Sequence, residues 1–122
     1  MAFIFTSAEI DAEYLNNLYD GDMDLLVSVF EEFVAVLPAT IDQLDTDYNK
    51  NDPALLKQSL HGCKGAFGYT GFSSISQSMQ YLENKLAFIS SVSEIQPEFK
   101  ELMKQVGETG NIIRNELAQL KK

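Results

Sequence analysis

"HGCKGAFGYTG", residues 61–71, contains the only histidine of a 122-residue chain and places glycine at 62, 65, 68 and 71. A flexible loop, a phosphate-cradling turn and a helix with one face stripped of side chains are the three structures open to such a stretch. The residues around it decide. Leu56, Leu60, Cys63, Phe67 and Thr70 recur in steps of three and four, so an apolar stripe at helical spacing runs through the glycines unbroken. A loop would discard that stripe. A phosphate-binding loop needs four residues between its first glycine and a Gly-Lys-Ser/Thr, and neither that spacing nor Gly-x-Gly-x-x-Gly occurs here.

Each helical residue advances about 100° around the axis. With Leu60 at zero, the stripe centres near about −40°, and His61 points roughly 140° away from it. Lys64, Gly68 and Gly65 fall near about 40°, 80° and 140°, around the histidine on its own face. Helical glycine costs roughly 1 kcal/mol relative to alanine, so Gly62, Gly65 and Gly68 together cost about 3 kcal/mol. Against a typical stability of ~5–15 kcal/mol that is a large concession. Close packing explains glycines on a buried face, but these face solvent. Room for something to approach His61 explains them better.

Working outward, apolar residues recur at helical spacing almost everywhere. Ser7 is a candidate cap for a short first helix through Ile10, Leu15 and Leu18, ending near Gly21. Asp22 opens a long second helix with the stripe Leu26, Phe30, Phe33, Leu37, Ile41, Leu44 and Tyr48. Pro38 lies inside that run and is expected to bend the helix without ending it. Asp52 and Pro53 stop and restart the chain as cap and first helical residue. Gly71 is placed to end the third helix. "SISQ", Ser74 to Gln77, reads as a capping box opening a fourth helix with the stripe Ile75, Met79, Leu82, Leu86 and Ile89. "SEIQ", Ser93 to Gln96, reads as a second box opening a last helix through Phe99, Leu102, Val106, Ile113, Leu117 and Leu120. No segment alternates with period two. The expectation is an all-α chain, residues 1–122 as one domain: an up-down antiparallel four-helix bundle with a short additional N-terminal helix.

Composition bounds the function. A net charge of −9, with nine scattered basic residues, argues against nucleic acid and against an anionic membrane surface. No run approaches ~20 apolar residues, and the start, MAFIFTSAEI, lacks a signal peptide's basic region. The lone Cys63 excludes an internal disulfide, and a cytoplasmic, monomeric chain is expected. Cys63 itself is expected to be a buried, inert thiol. His61 and Cys63 face different ways, with no other His or Cys to complete a metal site.

"LHGCKGAFGYTG", Leu60 to Gly71, resembles the signature of histidine-containing phosphotransfer (HPt) domains, carried here by His61, Cys63, Lys64, Gly65 and Gly71. "YLENKL" is similar to the family's Leu-Glu pair in the following helix, at Leu82 and Glu83. The Phe-rich helix with Pro38 and the run "NKNDPALLKQSLH" fit the same layout, and the resemblance spans about residues 7 to 120. Cys63 stands where the family prefers a larger aliphatic, and Thr70 where an aliphatic is common.

The resemblance implies a phosphocarrier without turnover of its own. His61 would be the phosphoacceptor, taking a phosphoryl group from an aspartate on one receiver domain, of a hybrid histidine kinase, and passing it to that of a response regulator. No cofactor is implied for this chain, with Mg²⁺ brought by the receiver. Neutral imidazole is a good nucleophile near pH 7, and such transfer is mostly positioning and charge neutralisation. Gly65 and Gly68 would clear space, and Lys64 would pair with phosphate oxygens. The family places an acidic or amide residue at the position of Glu83, where it would accept from Nδ1–H and leave Nε2 free. Alternatives are the phosphoacceptor domain of a chemotaxis-type kinase and a four-helix adaptor with an incidental histidine. Tyr69 and Phe72 are candidates for an apolar docking patch, and the surface around His61 is expected to be neutral or basic, helped by Lys57 and Lys64.

Overall fold

The computed structural model describes residues 2–122, and among them every regular element is helical. In order these are α1 (Ala12–Tyr19), α2 (Met23–Asn49), α3 (Pro53–Tyr69), α4 (Ser73–Leu86), a 3₁₀ turn (Val92–Ile95) and α5 (Gln96–Leu120). Around the bundle α2 neighbours α3 and α5, and α4 neighbours the same two, so the four long helices close a ring. Its centre is filled by the expected stripes, with Leu26, Phe30, Leu44, Leu56, Leu60, Phe67, Met79, Leu82, Leu102 and Val106 each at most 2% exposed. Phe33 holds the core together edge-on to Phe67 and tilted against Phe72. Phe72 is therefore core, 2% exposed, which corrects its candidacy for a docking patch; Tyr69, half exposed, keeps its place at the surface.

The caps at Asp22 and Asp52 form as the sequence indicates, each carboxylate accepting from the backbone N–H three residues on. Pro53 follows Asp52 at the first helical position, and Pro38 sits within α2, which continues to Asn49. Three expected starts are corrected. Ser7 does not cap α1: Asp11 does, accepting from Tyr14 N–H, while residues 3–10 form an irregular strap. Phe3 and Ile10 of that strap are buried, and the backbone N–H groups of Thr6 and Ser7 donate to the buried Glu116 carboxylate near the end of α5. Leu18 is correspondingly left 42% exposed.

The Ser74 box is absent. Gly71, at φ 87°, ends α3 with Gly71 N–H on Gly68 O and Phe72 N–H on Phe67 O, the paired bonds of a Schellman turn. Phe72 C=O already accepts from Ser76 N–H, so α4 begins two residues before a Ser74 cap would allow. The Ser93 box forms two residues earlier: Ser91 Oγ accepts from Ser93 N–H while Glu94 accepts from Ser91 N–H, opening the 3₁₀ turn that runs into α5.

Gly71 also seats α1. A Cβ there would lie 2.8 Å from Ile10 and 2.9 Å from Leu15, its carbonyl accepts from Asp11 N–H, and Tyr19 Oη donates to Tyr69 O at 2.6 Å. At Gly110 a Cβ would meet Leu37 at 3.1 Å, a close crossing of α5 on α2, whereas nothing in the structure requires glycine at 107.

Candidate functional site

The site lies on the α3–α4 hairpin, whose two helices run antiparallel in a fixed register. His61 faces Glu83, Lys64 faces Gln80, and Gly68 faces Ser76, so each turn toward the start of α3 is a turn toward the end of α4. The apolar stripes of both helices point into the bundle, which leaves His61 on the outer face of α3 with its side chain 72% exposed. Glu83 comes from the edge of the α4 stripe and is 5% exposed, more deeply sunk than its angle from that stripe suggests.

Sinking a carboxylate demands that its oxygens be satisfied. Oε1 lies 2.9 Å from His61 Nδ1, and Oε2 accepts from Lys64 Nζ at 2.6 Å. An ionised carboxylate only accepts, so Nδ1 is the nitrogen that donates, and in the neutral ring the lone pair is then on Nε2. Among the described residues Nδ1 is the imidazole nitrogen that is bonded. The result is a histidine held at one nitrogen and presented to solvent by the other.

Lys64 reaches the same carboxylate as His61. In this state its ammonium sits on Glu83 and on the side-chain carbonyl of Gln80, an exposed residue of α4. Gln80 is in turn oriented by its Nε2 donating to Asn84 Oδ1 at 3.0 Å. Sequence reasoning missed both amides. Their i, i+4 spacing and the antiparallel register with Lys64 are the signals that could have found them.

The glycines are as open as the helical wheel requires. A Cβ at Gly62 would meet nothing within 4 Å, at Gly65 only Tyr69 Cε2 at 3.8 Å, and at Gly68 only Ser76 Oγ at 3.9 Å. None is needed for close helix packing. Cys63, half-buried, has its thiol pushed up to about 11, mainly by burial, and is a poor nucleophile near neutral pH. Among the described residues no group of three or more His, Cys, Asp or Glu side chains could hold a metal ion, and no helix is long and apolar enough to cross a membrane.

The family model for the Hpt domain matches residues 28–122. The chain belongs to the Hpt domain family. An Hpt fold is likewise what the structure resembles: the crystal structure, to 1.80 Å, of the HPT domain from the Hpt sensor hybrid histidine kinase from Shewanella superposes with a TM-score of 0.82. That match is 21% identical and covers 93% of this chain and 97% of the other. No curated protein matches. Hpt domains are phosphocarrier modules that work with receiver domains, and membership gives this chain a phosphotransfer role.

Proposed function

We propose that residues 1–122 form a single carrier domain that relays a phosphoryl group between the aspartates of two receiver domains through phosphohistidine at His61. The receivers would belong to a hybrid histidine kinase and a response regulator, and the monomeric carrier would work in the cytoplasm. The observation that carries the proposal is an exposed imidazole whose Nδ1–H is held 2.9 Å from a buried carboxylate.

In the forward step the Nε2 lone pair attacks the phosphorus of an aspartyl phosphate. The N–P bond forms as the P–O bond to the carboxyl group breaks, and the aspartate leaves as carboxylate. The proton on Nδ1 stays in place, so the phosphorylated ring carries positive charge, which Glu83 offsets. Passing the group on reverses these events. Lys64, freed from Gln80, follows the negative charge toward the phosphoryl oxygens. The open faces of Gly65 and Gly68 let the receiver's loops come close. Mg²⁺ belongs to the receiver, and this chain supplies the imidazole, its tautomer and one cation.

The test is intact-mass measurement after incubation with phosphoramidate, beside His61→Gln. One acid-labile phosphate on the wild type, absent from the variant, is expected. A folded wild type that takes up no phosphate would refute the proposal.

A further inference from the structure

The ammonium of Lys64 divides its donors between two unlike acceptors. One is Glu83 Oε2, 2.6 Å away on a carboxylate that is 5% exposed. The other is the side-chain carbonyl of Gln80, a neutral and exposed residue one turn earlier on α4. A cation binds a carboxylate more strongly than a neutral amide, so Gln80 is the acceptor that Lys64 gives up first.

Gln80 is not free to turn away. An ammonium only donates, so the atom that faces Lys64 is the carbonyl oxygen. The amide nitrogen is thereby turned to the other side, where it donates to Asn84 Oδ1 at 3.0 Å. A rotated amide would set its N–H groups against the ammonium and its oxygen against the oxygen of Asn84, and both bonds would be lost. Asn84 therefore locks Gln80 in the one orientation that accepts from lysine. Neither amide serves the core, since both are exposed. Their bonds are directed at Lys64.

We propose that Gln80, locked by Asn84, is a positioning residue that sets how tightly the site keeps its phosphoryl group. A relay intermediate has to release the group as readily as it takes it. An unrestrained ammonium one helical turn from His61 would bind phosphoryl oxygens strongly and weigh the exchange toward the carrier. Gln80 competes for that ammonium, so part of what Lys64 gains on the phosphoryl group is offset by the bond it leaves. The proposal rests on the carrier reading above and adds no bond-making step to it. The exchange is still one P–O bond for one N–P bond, and Gln80 shifts only its balance.

The probes are phosphoramidate, which loads His61 without a partner, and a receiver domain phosphorylated on its aspartate with acetyl phosphate. The proteins compared are wild type, Gln80→Leu, Asn84→Ala, Lys64→Met and Lys64→Met combined with Gln80→Leu, each checked for helical content by circular dichroism. Phosphorus NMR of the loaded protein follows the titration of the phosphoryl group, whose midpoint falls when a cation pairs with it. Gln80→Leu is expected to lower that midpoint and to shift the exchange with the receiver roughly 2- to 10-fold toward the carrier, the range of one hydrogen bond. Asn84→Ala should move both in the same direction by less. In the absence of Lys64, Gln80→Leu should change neither, which is the coupling that a double-mutant cycle isolates. An unchanged midpoint in Gln80→Leu or in Asn84→Ala, or the same shift in the Lys64→Met background, would overturn the proposal. A wild type that phosphoramidate does not modify would instead defeat the carrier reading, a result separate from any change in midpoint.

Discussion

Replacing Gly65 and Gly68 together by alanine separates two explanations for an unusually bare helix. Gly65 lies one turn from the end of α3, where glycine is worth roughly 1 kcal/mol less than alanine, and Gly68 is the last residue but one, where the difference is at most that. The added methyls would meet nothing closer than 3.8 Å and 3.9 Å, ordinary van der Waals contact with no steric charge against them. The double variant should therefore gain about 1–2 kcal/mol and melt roughly 4–10 °C higher. Transfer from a phosphorylated receiver should nevertheless fall, because the methyls stand where the partner must approach His61. Gly107→Ala supplies the control: it too has open space and should gain about 1 kcal/mol, with transfer untouched. The measurements are thermal unfolding by calorimetry and single-turnover transfer. A lower melting temperature in the double variant would show that α3 needs its glycines for packing. A higher one with unimpaired transfer would show that the bare face is not a docking surface.

Glu83→Ala removes one charge-assisted hydrogen bond from His61, worth about 1.5–3 kcal/mol, and should slow uptake from phosphoramidate by roughly 10- to 100-fold; unchanged single-turnover rates would refute that role. Gly71→Ala should destabilise by about 3 kcal/mol in urea unfolding, since φ is 87° and the methyl would press on Ile10 and Leu15. Glu116→Ala should cost about 2 kcal/mol or more and open residues 3–10 to protease, because the N–H groups of Thr6 and Ser7 lose their acceptor. The hydrogen bond from Lys85 holds Glu98 below its ordinary 4.5, so what this exposed pair adds is complete above that pH and is lost on acidification; the melting temperatures of wild type and Glu98→Gln should converge in acid.

The long helices were legible because each buries one stripe, and a stripe is a local pattern. Asp22, Asp52 and Pro53 were legible for the same reason, since a cap acts within a few residues of itself. Ser7 misled because its backbone N–H answers to Glu116, 109 residues away, and no local pattern reports that bond. The start of α4 misled because Phe72 serves two helices at once, closing α3 and accepting the first bond of α4. His61 and the open face around it followed from spacing alone, and the reach of Glu83 to the histidine followed from family resemblance. The depth of Glu83 and the hold of Gln80 on Lys64 depend on how α3 and α4 are staggered, which neither helix encodes by itself.

The bond between Thr6 and Glu116 has a topological consequence. It ties the strap to the last turns of α5, so the two ends of the described chain meet at one end of the bundle. A short bridge could join them, and new termini could be cut at the opposite end, in the Ser90 loop that docks on Asn51. The reordered chain would keep α3 and α4 contiguous, and with them every side chain that touches His61. Its ability to fold would reveal whether the strap acts by tethering a terminus or by covering the core.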